Sequence, residues 1–227
     1  MKKNIFLMAI AAIAMISCGP KAAPEQKAQN EEADAAVIRI NCPLKVTPEN
    51  RDKVLALCKE LVDSSRTDAG NIDYDIYESA TDPASLIIFE TWQDQPSLDA
   101  HMAAPHFTRL VPQIQEASEM AIQVMTEKPQ EGKPLRINCM LDVPQENREA
   151  AIELYKVHVS ESLKDDGVID FDLYLSATNP EKMMIFETWK NEDVLEAHAT
   201  AEHSKNHIAQ IKDKAQSKLE KFLLPEE

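Results

Sequence analysis

The sequence predicts an α+β protein made of two ferredoxin-like units, each with the element order βαββαβ. Three observations predict this fold class. The chain repeats itself at a constant offset of 97 residues, each copy opens on a segment of alternating apolar residues, and apolar residues at helical spacing follow that segment. A sheet with helices on one face leaves its other face bare, so we expect the two copies to pack against each other as an internal pseudo-dimer.

The repeat is visible as pairs of short matching segments. They are Arg39–Cys42 with Arg136–Cys139, Glu49–Arg51 with Glu146–Arg148, Ser79–Pro83 with Ser176–Pro180, and Ile88–Trp92 with Ile185–Trp189. We therefore expect domains at 37–127 and 135–224. The polar segment 128–134, which contains proline and glycine, is the predicted linker.

The first copy shows a strand followed by a helix. Apolar residues alternate from Val37 to Val46, which is the strand period. Thr47 is a suitable N-cap, and Pro48 suits the first helical position. Helical spacing then continues to about Arg66, and Gly70 ends that segment.

Two further strands and two helical segments complete the copy. The strands are predicted at 72–78 and 86–92, with a turn between them. A short helix is expected over 97–102, another from Pro105 or His106, and a final strand over 120–126.

Composition excludes some classes of function. The apolar content of 44% suits a globular protein, and 24 basic against 39 acidic residues give a net charge of −15. A chain this acidic repels phosphate backbones, so we expect no nucleic-acid partner.

The N-terminus resembles a bacterial lipoprotein signal. Lys2 and Lys3 precede an apolar run from Ile5 to Ile16, which is too short to span a membrane. Cys18 follows at the position that receives lipid, which predicts a signal over 1–18, a flexible tether over 19–36, and anchoring at the cell envelope on its periplasmic or surface side. An ordinary secretory signal with a chance cysteine is the alternative.

Three segments of the first copy together resemble a known family. They are Gly70–Tyr77, Phe89–Trp92 and Leu98–Phe107, the last reading L-x-A-H-x-x-x-x-H-F. They resemble the antibiotic-biosynthesis monooxygenase domain and, within it, the quinol-monooxygenase-like branch. The resemblance implies a dimeric α/β barrel of ferredoxin-like units, here formed within one chain that could be monomeric.

The resemblance also implies an activity. Oxygenases of this family oxidise quinols or polycyclic phenols with O₂ and use neither metal nor flavin, so the expected partners are a small aromatic or quinol-like substrate and O₂, with no cofactor. Alternatives are a non-catalytic binding lipoprotein and an isomerase of the same superfamily. Haem degradation is disfavoured, because Val111 stands near the place of that branch's histidine.

Histidines are the candidate bases. His101 and His198 titrate near neutrality and could take a phenolic proton, or else they could form a polar lid over the sheet. His106 and His203 begin the next helix and are candidate substrate-binding residues, with local capping as the alternative. On one continuous helix residues at i and i+5 do not share a face, so we expect no metal site.

Several further residues recur in both copies. Asn41 and Asn138 are candidate catalytic amides for an oxyanion or peroxide, or structural hydrogen-bonding groups. Glu90 and Glu187 are candidate substrate-binding residues, or else structural carboxylates that pair with Arg39 and Arg136. If buried, each must pair with a cation or be protonated. The expected cavity wall consists of Trp92, Trp189, Tyr77 and Tyr174. Because the second copy departs from the family pattern at Ser204 and His207, we expect the working site in the first copy.

Overall fold

The computed structural model describes residues 37–125 and 127–225. The predicted signal, its lipidation site Cys18 and the tether lie outside these ranges. Within the ranges, no helix is both long enough and apolar enough to cross a membrane.

The first repeat contains five strands and three helices. They are β1 (Ile38–Val46), α1 (Pro48–Ser65), β2 (Asn71–Ser79), β3 (Ser85–Trp92), α2 (Gln95–Met102), α3 (Pro105–Ala117), β4 (Ser118–Met120) and β5 (Gln123–Met125). The predicted helix start at Thr47 and Pro48 is correct in position, although the Thr47 side chain makes no capping hydrogen bond. At the start of a different helix, α2, Asp94 does act as a cap: its side chain accepts a hydrogen bond from the Ser97 backbone N–H at 2.9 Å.

The second repeat follows the same order. It contains β6 (Leu135–Asp142), α4 (Arg148–Ser162), β7 (Val168–Ser176), β8 (Lys182–Trp189), α5 (Glu192–Thr200), α6 (Glu202–Ile211) and β9 (Gln216–Leu223), and a 3₁₀ turn at Gln145–Asn147 precedes α4. The predicted βαββαβ order and the tandem ferredoxin-like architecture are confirmed.

All nine strands belong to one antiparallel sheet. Its order is β4-β1-β3-β2-β7-β8-β6-β9, and β5 also pairs with β1. The two repeats join where β2 pairs with β7, with Tyr77 opposite Ser176 and Ser79 opposite Tyr174. The sheet therefore runs through both halves of the chain.

The core has three parts. Each repeat has one cluster between its helices and its half of the sheet. A third cluster contains residues from both repeats: Tyr77, Ile87, Phe89, Tyr174, Met184 and Phe186. Both halves thus bury their helix-free faces against each other, as the pseudo-dimer prediction requires.

The predicted closed barrel is wrong. β4 and β9 are the two ends of the strand order, and no ladder joins them in the described part of the chain. Among the described residues, one backbone hydrogen bond, from Leu223 N–H to Glu127 O at 2.9 Å, links the regions next to these two strands. The edge strand of the first repeat is split into two three-residue pieces, which leaves too short a row of backbone groups for a second ladder.

Candidate active site

In the first repeat, two histidines converge on one carboxylate. His101 lies near the end of α2, and His106 lies in the first turn of α3. The helix is broken between them because Ala104 is extended (φ −67°, ψ 147°) and Pro105 opens a new helix. His101 Nδ1 is 2.8 Å and His106 Nε2 is 3.1 Å from Asp68 Oδ2.

The second repeat builds the same cluster without a proline. Ala201 is extended (φ −63°, ψ 153°) between α5 and α6. His198 Nδ1 is 2.7 Å and His203 Nε2 is 3.3 Å from Asp165 Oδ2. The prediction that the paired histidines would face apart is wrong, because it assumed one continuous helix.

These clusters are the places in the described residues where a metal ion could be held. In each, one ligand atom from each of the three side chains lies within 4.8 Å of the others. Imidazole and carboxylate are ligands that zinc and iron accept. The Nδ1-to-carboxylate distances of 2.7 and 2.8 Å are also those of charge-assisted hydrogen bonds.

The aspartates were missed by the sequence reasoning. Asp68 and Asp165 stand in the loops after α1 and α4, at the offset of the repeat. The available signal was that the same residue stands at this position in both copies. A loop aspartate follows no periodic pattern, however, so its contact with a histidine could not be predicted from the sequence.

Aromatic side chains pack around His101. The imidazole is 1% exposed and stacks on Trp92 with ring centroids 4.4 Å apart. The Phe107 ring lies edge-on to the imidazole with ring centroids 4.9 Å apart, and Leu61 and Leu110 belong to the apolar cluster that contains Trp92. These side chains cover the His101 imidazole, and the expectation of a working site in the first copy stays a prediction.

The second repeat has a cavity in the corresponding place. Its volume is about 490 Å³, and His198, Glu187 and Tyr155 line it. Ser204 occupies the repeat position of Phe107, so the bulky side chain that covers His101 is absent beside His198.

Two further histidines border this cavity where the first repeat has leucines. His158 replaces Leu61 and His207 replaces Leu110. Their rings stack in parallel with centroids 4.1 Å apart. His207 is visible in the sequence as a departure from the family pattern, whereas His158 was missed because it lies far away in sequence on α4.

The imidazoles of the cavity are biased toward the neutral form. Burial, together with the charge of neighbouring histidines, lowers the pKa of His158 to about 3 and the pKa of His207 to about 4. Burial also lowers the pKa of His198, against the opposing effect of Asp165. Neutral imidazoles can accept protons.

Glu187 is a second titratable group in the cavity. It accepts a hydrogen bond from the Trp189 indole at 2.8 Å, and burial raises its pKa to about 7. Glu90 accepts from Trp92 in the same way at 2.7 Å, also with a pKa raised to about 7 by burial. The expected arginine partners are wrong, because Arg39 is on the other face of the sheet and pairs with Glu220.

Four predicted site residues lie between the two halves of the sheet. Asn41 and Asn138 hydrogen-bond each other reciprocally, at 2.9 and 3.1 Å, and both are fully buried. Tyr77 and Tyr174 belong to the cluster shared by the repeats. The structure therefore does not bring them together with the histidines, and it supports the structural alternative for the asparagines. Trp92 and Trp189 do lie beside the histidines, at 4.4 and 4.5 Å between ring centroids.

Fold and site together define a tandem ferredoxin-like protein with a helix-covered, histidine-lined cavity on one side of its sheet. Comparison with known protein families identifies the family to which both repeats belong. Residues 37–113 and 134–210 each match the antibiotic biosynthesis monooxygenase domain. The chain belongs to this family and contains two copies of its domain, as the sequence resemblance implied.

Individual relatives match single repeats. "Putative monooxygenase YcnE" of Bacillus subtilis is 28% identical over 89 residues, which is 39% of this chain and 94% of that protein. An uncharacterized Synechocystis protein is 34% identical over 68 residues, 30% of this chain, and the match spans 46% of that relative's length. A solved structure from Bacteroides thetaiotaomicron, titled "Possible Oxidoreductase", is 38% identical over 40% of this chain and 96% of its own, with a TM-score of 0.39. The family match and the Bacillus subtilis relative support a general monooxygenase-like function.

Proposed function

We propose that the second repeat is a monooxygenase site that oxidises a quinol or related phenol with O₂, without a metal or flavin, in a protein held at the cell envelope. The observation that carries the proposal is the cavity of about 490 Å³ that places His198 and Glu187 beside apolar wall residues. A cavity of this size suits a small aromatic molecule. Family membership supports the reaction class.

His198 is the proposed base. Asp165 accepts the hydrogen bond from Nδ1, so the neutral tautomer keeps its proton on Nδ1 and leaves Nε2 as an acceptor. The Ser204 hydroxyl lies 3.4 Å from Nε2 and can donate a hydrogen bond to it. An arriving phenol can displace that long contact and give its proton to Nε2.

The deprotonated substrate supplies the electrons. A phenolate is electron-rich enough to reduce O₂ directly once water is kept away. Oxidation of a quinol then adds one oxygen atom of O₂ to the ring and releases the other as water, which carries away two hydrogens of the quinol. Because Glu187 has a pKa of about 7, it can accept or return a proton during the same turnover.

The envelope location rests on the N-terminal pattern. The basic start, the apolar run and Cys18 support export and lipid attachment. Metabolic labelling with a radioactive fatty acid should mark the wild-type chain and leave the Cys18→Ser variant unlabelled. Label on both, or on neither, would contradict the anchor.

The catalytic assignment is tested by oxygen uptake with a panel of reduced quinones. We expect His198→Ala to lower turnover by about 10²–10⁴-fold, the range for loss of a general base. The matched control is His101→Ala, which removes the equivalent but covered imidazole and should leave turnover per folded molecule unchanged. Circular dichroism should verify folding of both variants.

Three outcomes would overturn the proposal. Native mass spectrometry could find a retained small molecule in a protein that consumes no oxygen, which would indicate a binding protein. Substrate conversion without oxygen uptake would indicate an isomerase. Equal activity in wild type and His198→Ala would remove this residue as the base.

A further inference from the structure

The space between the two halves of the sheet contains two cavities, each lined by an arginine from the first strand of one repeat. Arg39 lines a cavity of about 270 Å³, and Arg136 lines one of about 670 Å³. The two arginines are equivalent residues of the repeat, because they lie 97 positions apart. The internal symmetry therefore allows a direct comparison of their surroundings.

The cavity of the first arginine contains a carboxylate from the protein itself. Arg39 Nε donates to Glu220 Oε2, and its Nη2 donates to Glu220 Oε1, both at 2.7 Å. This two-point fork is the geometry in which a guanidinium binds a carboxylate most strongly. Arg39 is therefore neutralised by a side chain of the other repeat.

The second arginine has no such partner. Gln123 occupies the repeat position of Glu220, and the two residues pair with Asn41 and Asn138 in the same register. Within the described ranges, no carboxylate oxygen lies within 4.0 Å of the Arg136 guanidinium. The Arg136 side chain is buried, with the residue only 5% exposed, and its Nε and Nη1 have no hydrogen-bond partner.

The nearby charges do not neutralise it. Asp172 is held by the hydroxyls of Ser79 at 2.5 Å and Thr81 at 2.7 Å. Lys45, which lines the same cavity, is paired with Asp82 at 2.9 Å. Burial lowers the pKa of Arg136 only to about 10, so the guanidinium stays charged at neutral pH.

An unpaired charge in such a place is costly unless something compensates for it. Asp170 is the acidic residue with an electrostatic effect on Arg136, and burial raises the pKa of its own carboxyl. Glu119 also lines the cavity, and the remaining wall is largely apolar or aromatic. Phe186 lies under the guanidinium, 3.5 Å from its central carbon to the ring centroid, and Tyr174 is adjacent to Phe186.

We propose that the cavity around Arg136 is a binding site for a small molecule that carries a carboxylate on an aromatic body. The carboxylate occupies the place that Glu220 takes beside Arg39, and the body packs on Phe186 and Tyr174. The site lies on the opposite face of the sheet from the histidine cavity. It does not depend on the proposed oxidation.

Benzoate is the probe for this site, titrated into the mature chain and followed by calorimetry. We expect one site per chain, and we expect Arg136→Met to weaken binding by about tenfold or more, because it removes the charge-assisted fork. Gln123→Glu supplies the missing internal carboxylate and should also weaken binding. Glu220→Gln is the matched control: it frees Arg39 and should raise the number of benzoate sites from one to two.

Several results would overturn the proposal. They are no binding of benzoate by the wild-type chain at its solubility limit, binding that Arg136→Met leaves unchanged, and inorganic phosphate binding more tightly than benzoate. If Arg136→Met does not fold, Arg136→Lys keeps the charge without the planar fork. It should still weaken benzoate binding several-fold, and unchanged affinity would contradict the assignment.

Discussion

At the scale of single residues, each repeat buries a carboxylic acid that makes no ion pair within the described ranges. Glu90 is 5% exposed and Glu187 is 8% exposed, and each accepts an indole N–H. Glu90 also accepts a hydrogen bond from the Cys42 thiol. These contacts do not replace the hydration of a carboxylate, so burial raises both pKa values to about 7. The folded state therefore favours the protonated acid.

A pH-dependent stability follows from Glu90. Its pKa is about 7 when folded and 4.5 in the reference state, so the folded protein loses stability as pH rises from about 4.5 to about 7. Glu90→Gln removes this loss. We expect the variant to be more stable than wild type by about 2–3 kcal/mol at pH 8, with the advantage vanishing near pH 4.

Urea unfolding across this pH range measures the effect. Glu119→Gln is the control, since Glu119 is exposed on β4 and its substitution should change stability little at any pH. A constant difference between Glu90→Gln and wild type from pH 4 to pH 8 would show that Glu90 does not titrate on folding.

The sequence predicted the buried state of these acids but not their partner. Glu90 stands between apolar residues in β3, which indicates burial. The arginine partner was wrong for a geometric reason: β1 pairs Ile40 with Glu90 and Arg39 with Thr91, so Arg39 points to the opposite face. Strand alternation contains this information, but the register between the strands is needed to use it.

At the scale of the elements, the break between paired helices creates the histidine clusters. Pro105 indicates a break in the first repeat, but extended Ala201 makes the same break where no proline exists. The second break was not predictable from local sequence, since alanine and glutamate both favour continued helix. Only the repeat itself could have suggested it.

The exchange of Phe107 for Ser204 is one of the differences between the two histidine sites. Ser204→Phe introduces the residue found at the equivalent position 107 and should fill the cavity beside His198. We expect oxygen uptake with reduced quinones to be lost while circular dichroism shows an intact fold. Retained turnover would show that substrate does not enter by this cavity.

The reciprocal variant is the control for packing. Phe107→Ser removes a ring that contacts His101 at 4.9 Å, so it should cost about 2–4 kcal/mol of stability. It should leave the activity of the second repeat unchanged.

The turn between α1 and β2 requires glycine for two reasons. Gly70 has φ +78°, and a Cβ placed there would lie 2.1 Å from Ser97 Oγ. Gly132 has φ +70°, but a Cβ added at that position would meet no other atom within 4 Å. Gly70→Ala should therefore destabilise the protein by about 1–3 kcal/mol more than Gly132→Ala, because only Gly70 adds a steric clash to the backbone strain.

Denaturant midpoints of the two variants provide the measurement. Combining Gly70→Ala with Ser97→Gly removes the clashing hydroxymethyl group and should recover part of the loss. Equal destabilisation at positions 70 and 132 would mean that the α2 region moves away without cost.

At the scale of the whole molecule, duplication built a pseudo-dimer whose halves are no longer equivalent. The central asparagine pair and the shared aromatic cluster keep the symmetry. The ion pair of Arg39 with Glu220 breaks it, since Gln123 cannot neutralise Arg136. The repeat in the sequence was sufficient to predict two packed domains. Barrel closure depends on the edge strand of the first repeat, which is interrupted at 121–122. The sequence pattern does not show this interruption.

This asymmetry predicts how the repeats behave when they are separated. Each isolated repeat exposes a sheet face with large apolar residues, such as Phe89 or Phe186, so each should form a homodimer that imitates the intact chain. In a dimer of 134–225, both copies of Arg136 meet a Glu220 from the partner, which gives two ion pairs. In a dimer of 37–127, both copies of Arg39 meet Gln123, which gives none.

Two part-buried charge-assisted forks, at about 1–3 kcal/mol each, should make the second-repeat dimer tighter by about tenfold or more. Sedimentation equilibrium of the two fragments measures the difference, and Glu220→Gln in the second fragment should abolish it. A first-repeat dimer of equal or greater strength would show that the exchange of glutamate for glutamine does not govern association.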